Sequence, residues 1–437
     1  MNREFLCSRR QLLTGAAGLT AGLALPRPAA AASVPLNVRT TIATVPLRVP
    51  ATPVWHLETQ AVPRILRYRQ GDELQVAFTN DTPAPAVLNW SGIDGVAAAE
   101  PLTGQAPLAP SGRANFTLPL RHAGSFLLDA RLLGDGRERP STATMLIVDE
   151  QQKPVADKDA FMLIEDWRLN ADNTALAPGI DPKDTTPLFT FNGLPKQDIT
   201  MRPNERVRLR IFNGCHRSVF GLKIENHDVR VMAVDGQPAE PYPARDGQLI
   251  LAPGTRLDVV IDATMPAGSS APIMLFGGGA PFEIARLVTN GEPIRPAPLP
   301  LAAAFPSNGL PTELRFQNAL RAELAFDGAV QGDWAIPGNF ALTSAPVFKA
   351  KRGRVVMLHV LNRAPSPIVM RLHGHHARVL DRLDDGWKPY WIDTLLLDTG
   401  QTQRIAFLAE HAGNWLIETM QIGWASPKRV RWFAVEP

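Results

Sequence analysis

Gly71-Asp-Glu-Leu-Gln-Val-Ala-Phe-Thr-Asn80, Asn204-Glu-Arg-Val-Arg-Leu-Arg-Ile-Phe-Asn213 and Gly353-Arg-Val-Val-Met-Leu-His-Val-Leu-Asn362 align without a gap. Each opens on a turn residue, alternates apolar and polar side chains with a period of two, and closes on Asn, which predicts a strand. A second element follows each one: Gly112-Arg-Ala-Asn-Phe-Thr-Leu, Gly254-Thr-Arg-Leu-Asp-Val-Val and Gly400-Gln-Thr-Gln-Arg-Ile-Ala-Phe. The three copies start 133 and 149 residues apart, beyond the period of about 20–50 residues that marks a solenoid. They predict three homologous β domains of Greek-key sandwich size, over residues 35–150, 158–291 and 308–437. The Pro-rich stretches 151–158 and 291–311 read as linkers.

Composition agrees with an all-β fold. Forty prolines in 437 residues, about 9% against a usual ~5%, disfavour long helices. The formal net charge of +3 sits in the first 32 residues, where Arg3, Arg9, Arg10 and Arg27 face Glu4. The rest balances at 41 basic and 41 acidic residues. That balance gives no basis for binding nucleic acid or an anionic membrane, and neither is expected as a partner.

Arg9-Arg10 precede a 14-residue, weakly apolar stretch from Leu12 to Leu25, and Ala30-Ala31-Ala32 offers a small-residue cleavage site. Residues 1–32 resemble a twin-arginine signal peptide, which implies export to the periplasm in folded form. The stretch is shorter than the ~20 apolar residues a span needs, so no transmembrane anchor is expected after cleavage. Cys7 would leave with the signal, and Cys215 would then have no partner for an internal disulfide.

Phe191-Asn-Gly, Arg206-Val-Arg-Leu-Arg-Ile-Phe-Asn213, Val234-Asp-Gly236 and Leu251-Ala-Pro-Gly-Thr-Arg-Leu-Asp-Val-Val260 resemble, in order, the middle cupredoxin domain of three-domain multicopper oxidases. Leu372-His-Gly-His375, Trp391-Ile-Asp-Thr394 and Ala412-Gly-Asn-Trp415 resemble the third. The resemblance implies three cupredoxin-like sandwiches. It also implies four copper motifs, in which imidazoles hold a three-copper cluster and a thiolate holds a blue copper. The first motif falls on Leu88-Asn89-Trp90-Ser91-Gly92 and the second on Asp129 and Arg131. The third falls on Ile368, Arg371 and His373, and the fourth on Glu418, Thr419 and Met420, with Trp424 and Arg429 behind.

His373 is therefore the one retained copper-ligand position and the candidate metal residue. Asn89, Ser91, Asp129, Arg131, Arg371, Glu418 and Met420 occupy the other cluster positions, and Ile368, Thr419, Trp424 and Arg429 the blue-copper positions. His373 and His375 are expected to face one side of a strand, since alternate side chains share a face; a two-His site then stands against a framework role for His375. Ile368, Trp424 and Thr419 are expected to refill the blue-copper pocket as core. Arg371 is expected to pair with Asp129 or Glu418, and Arg131 with the other acid, bridging the first and third domains.

These replacements predict no catalytic residue and no cofactor. The resulting expectation is a non-catalytic binding or scaffold protein for periplasmic or envelope proteins, similar in role to the copper-free cell-division members of this superfamily. The alternative is a copper-dependent oxidase acting on phenols or metal ions.

Overall fold

The computed structural model describes residues 32–60, 64–277, 279–328, 333–381 and 386–437. Most of the signal-peptide segment, with Arg9 and Arg10, lies outside them. No helix among the described residues is long and apolar enough to cross a membrane.

The three aligned stretches form the strands Glu73–Asn80, Arg206–Asn213 and Val355–Asn362. Each pairs in parallel with the strand that opens its sandwich: Ser33–Val45, Lys158–Leu169 and Leu320–Phe326 respectively. Each pairs antiparallel with the strand of the second sequence element, Arg113–Pro119, Arg256–Asp262 and Thr402–Leu408. Every such sheet is faced by a second one. In the first sandwich that second sheet carries Gly124–Asp129 between Thr144–Asp149 and Asn89–Ser91; in the third it carries Gly413–Gln421 between Arg429–Glu436 and Ile368–Leu372. The apolar face of each sheet meets its partner in a shared core, as Leu36, Leu74 and Val76 do with Phe126 and Leu146. The fold is thus all-β, three sandwiches in succession, and Ser33–Pro437 form one compact unit.

The closing Asn has the same function in all three copies. Asn80, Asn213 and Asn362 are buried, and each Oδ1 accepts the backbone N–H two residues on, from Thr82, Cys215 and Ala364 at 3.1, 2.8 and 2.9 Å. Each Nδ2 donates to the carbonyl four or five residues on (Ala84, Ser218, Ser366) and to a carbonyl of a later segment (Leu108, Leu251, Leu397). One short amide thus satisfies a turn that no ladder reaches.

Arg206–Asn213 departs from simple alternation, because all of its residues are buried. Its charged face is covered by neighbouring chain and paired there. Arg206 meets Asp262 at 2.7 Å, Arg208 meets Glu150 at 2.8 Å and Asp258, and Arg210 meets Asp159 at 2.9 Å and Ser125 Oγ of the first sandwich at 3.1 Å. The Pro-rich stretch 291–311 is strapped down rather than free. Asn308 exchanges hydrogen bonds with the backbone of Ala123 at 2.9 and 2.8 Å, and Phe305 is buried beneath the Arg208 guanidinium.

Candidate functional site

Asn89–Ser91 ladders with Gly124–Asp129, which sets Asn89 opposite Asp129 and Ser91 opposite Leu127. Ile368–Leu372 ladders with Gly413–Gln421, which sets Arg371 opposite Glu418, Met370 opposite Thr419 and Val369 opposite Met420. All three sandwiches line one cavity of about 30 Å³: Leu127, Asp129 and Arg131 from the first, Arg217 and Gly254 among others from the second, and Arg371, Met420 and Lys428 from the third. Of the positions the resemblance assigned to a three-copper cluster, Asp129, Arg131, Arg371 and Met420 line this seam cavity, Asn89 and Glu418 stand opposite Asp129 and Arg371 on the ladders, and all eight positions are buried.

The pairing at the seam differs from expectation. Arg371 does meet Glu418, at 3.4 Å, but both belong to the third sandwich, so the pair bridges nothing. Arg131 turns to Glu165 of the second sandwich at 2.9 Å, where Arg64 also binds that carboxylate. Asp129 Oδ1 accepts the backbone N–H of Arg131 instead of a guanidinium. Glu418 takes Lys428 as a closer partner, at 3.0 Å. Burial alone would raise the Glu418 carboxyl, but Lys428 and Arg371 hold it well below its usual range.

Two imidazoles make the bridges that the guanidiniums do not. His373 Nδ1 lies 2.9 Å from Glu100 of the first sandwich, and its Nε2 faces Glu418 at 3.6 Å. His376 Nδ1 donates to Asp94 of the first sandwich at 2.7 Å, and its Nε2 donates to the Asp235 carbonyl of the second at 2.9 Å. Burial would lower both histidines, yet the carboxylates outweigh it and raise each to about 9. His375 shares no site with His373. The strand ends at Leu372, and Gly374, at φ +67°, turns the chain against the Trp415 ring where a Cβ would clash at 2.0 Å. His375 then packs among Trp415, Phe407, Phe433 and His411, and burial lowers it to about 3. Glu100, Asp94, Lys428 and His376 were missed in the sequence. The doubled His375-His376 and the Asp94-Gly95 turn just beyond Ser91 were the available signals.

At the blue-copper positions Ile368 and Thr419 are 1% exposed, and Trp424 and Arg429 are also buried. Ile368 joins the main core, Thr419 Oγ1 donates to the Val369 carbonyl, and Trp424 Nε1 donates to the Ala177 carbonyl at 3.0 Å. Ile368→Ala is expected to cost about 2–5 kcal/mol in a urea melt. A loss under about 1 kcal/mol would mean that this position is not packed as described.

The motifs Val234-Asp-Gly236, Ala252-Pro-Gly-Thr-Arg-Leu-Asp258 and Trp391-Ile-Asp-Thr394 meet at one buried node. Arg256 binds Asp393 through two hydrogen bonds of 3.0 and 2.7 Å, and donates to the carbonyls of Asp235, Gly254 and Ser125. Asp235 accepts the backbone N–H groups of Arg256, Asp393 and Thr394. This node clasps the second sandwich to the third and touches the first.

Two family models, each described as multicopper oxidase, match residues 158–270 and 311–437, together more than half of the chain. The chain belongs to the multicopper oxidase family. The multicopper oxidase MmcO of Mycobacterium tuberculosis is 24% identical over 94% of this chain and 89% of its own length. Laccase-2 of Podospora anserina is 32% identical over 37% of this chain and 24% of its own. The crystal structure of a multicopper oxidase from Pseudomonas thermotolerans superposes with a TM-score of 0.79 at 24% identity, covering 93% of this chain and all of that one. That likeness fixes the cupredoxin-type fold of this multicopper oxidase family member.

These relatives overturn the expectation of a non-catalytic scaffold, since the matching models, sequences and structures are those of oxidases and laccases. The expectation of no cofactor loses its support with it, because the family is one that binds copper. The relatives favour the copper-dependent alternative over the scaffold.

Proposed function

We propose that this chain is an oxidoreductase of the multicopper oxidase class, exported to the periplasm, with phenols or metal ions as its substrates. The observation that carries the reading is the family match across the second and third sandwiches, continued along nearly the whole chain by MmcO.

Copper is the cofactor of this class, and the residues at the assigned positions do not fit it. A copper ion needs lone pairs converging on a point. At the seam the side chains are one imidazole already facing two carboxylates, one amide, one hydroxyl, one thioether, two carboxylates and two guanidiniums. Among the described residues no group of three or more His, Cys, Asp or Glu side chains is arranged to hold a metal ion.

The test is oxygen uptake by the purified mature chain, before and after incubation with Cu2+, using a methoxyphenol and Fe2+ as alternative reductants, with copper content measured alongside. Uptake coupled to oxidation of either reductant, rising with bound copper, supports the reading. Absence of uptake with both after copper incubation overturns it. The export half is tested separately. Replacing Arg9 and Arg10 together by Lys is expected to leave an unprocessed precursor in the cytoplasm, because lysine keeps the charge without the planar fork. Normal processing of the double variant would point to the general secretory route.

A further inference from the structure

The seam between the first and third sandwiches carries buried hydrogen-bond donors with nothing to donate to. Asn89 is fully buried with neither end of its amide partnered, Ser91 is 1% exposed with a free hydroxyl, and Arg371 is 8% exposed with its Nε–H unpaired. A buried donor left this way costs roughly 1–3 kcal/mol, and native proteins tolerate few of them. Three on one seam call for an acceptor.

The surroundings say what kind. Arg371 lies over Gly254, where even a Cβ would meet its guanidinium at 2.2 Å, so the side chain is held in place. It lines the cavity of about 30 Å³ together with Arg131, Arg217 and Lys428, and the lining acids are Asp129 and Asp135. Asn89 stands beside Asp129 and Ser91 beside Leu127, both of which line the same cavity. The carboxylates near by are already engaged: Asp129 by the Arg131 N–H, Asp135 by Arg217 at 2.7 Å, Glu418 by Lys428 and Arg371. The lining cations are engaged as well, Arg131 by Glu165, Arg217 by Asp135 and Lys428 by Glu418, and of the groups without a hydrogen bond Asn89 Nδ2, Ser91 Oγ, Arg371 Nε and His373 Nε2 can donate, against the acceptors Asn89 Oδ1 and Glu418 Oε1. The volume exceeds the ~10–15 Å³ that one water requires, but it leaves no room for an organic substrate.

We infer that this seam binds a small monovalent inorganic anion, chloride or a planar oxyanion of nitrate size, between Asn89 and Ser91 of the first sandwich and Arg371 of the third. The seam that the family uses to gather lone pairs onto metal here presents hydrogens to an anion. The site does not rest on the oxidoreductase reading.

The experiment uses the full mature chain in chloride-free gluconate buffer at constant ionic strength, with no copper present. Thermal stability is followed as chloride or nitrate replaces gluconate. The expected result is a saturable rise in Tm, since a ligand that binds only the folded state stabilises it by mass action. Asn89→Asp puts a carboxylate of the same shape where the amide donor stood, and is expected to raise the midpoint concentration by about tenfold or more. Ser91→Ala, a milder change, should raise it in the same direction and covers the case in which Asn89→Asp does not fold. Crystals soaked in bromide should show an anomalous peak within hydrogen-bond reach of Arg371 Nε. A wild-type response no different from gluconate alone would overturn the inference. So would midpoints unmoved in both variants, or bromide bound only elsewhere. Because no oxidation is read, failure here leaves the oxygen-uptake test untouched.

Discussion

Arg256→Met is expected to destabilise the chain by about 3–5 kcal/mol, the usual cost of stripping one partner from a buried ion pair. Arg256 has no exposure, and it is the common partner of Asp393 and of the Asp235 carbonyl across the second and third sandwiches. Burial and the charge of Asp393 already push the Asp235 carboxyl above its usual range, against the pull of Arg256. Removing the guanidinium therefore leaves two carboxylates confined together with only His376, 3.9 Å from Asp393 and shared with Asp94, as a neighbouring cation. Urea melts of the single variant, and of the triple variant Arg256→Met, Asp235→Asn, Asp393→Asn, separate the two contributions. The single variant should be the less stable, because the triple variant leaves no uncompensated charge. If the triple variant is no more stable than the single, the loss is one of packing and the electrostatic account fails.

Stability is also expected to fall as pH rises from about 6.5 to about 9. His373 and His376 are both raised, from 6.5 to about 9, by carboxylates that outweigh burial. A group raised in the folded state binds its proton more tightly there than in the unfolded chain. Its contribution is complete below the unfolded pKa and is lost as pH climbs through the folded one. Each shift corresponds to roughly 3 kcal/mol at most. His375, lowered to about 3 by burial, acts with the opposite sign, and its contribution is lost as pH falls from 6.5 toward 3. Urea midpoints at pH 6.5 and 9.5 should show the alkaline loss in the wild type. The double variant Glu100→Gln, Asp94→Asn should show much less of it, since the carboxylates that fix the two protons are gone. An equal loss in the double variant, or a gain in stability across that window, would refute the assignment of these bridges.

The strand pattern was legible because it is written within ten residues. Turn residue, alternation and closing Asn depend only on local backbone demands, and the three Asn side chains meet them with the same bonds. The strands that carry the assigned positions were legible too, and the fold pairs Asn89–Ser91 with Gly124–Asp129 and Ile368–Leu372 with Gly413–Gln421. The partners of the side chains there were not legible. Arg131 was matched with acids of the first and third domains, and it found Glu165 of the second. His373 was read as a leftover ligand, and it holds Glu100.

The sequence by itself determined the all-β class, the three sandwiches and the motifs of the multicopper oxidase family. Only the tertiary structure decided which charge meets which. His376 and Asp94 are 282 residues apart, and Arg256 and Asp393 are 137 apart. A periodic pattern constrains which face of a strand is buried. It carries no information about which face of a distant sandwich will be pressed against it. A buried charge takes the partner that this docking supplies, because in a site closed to water an unpaired one is too costly to leave.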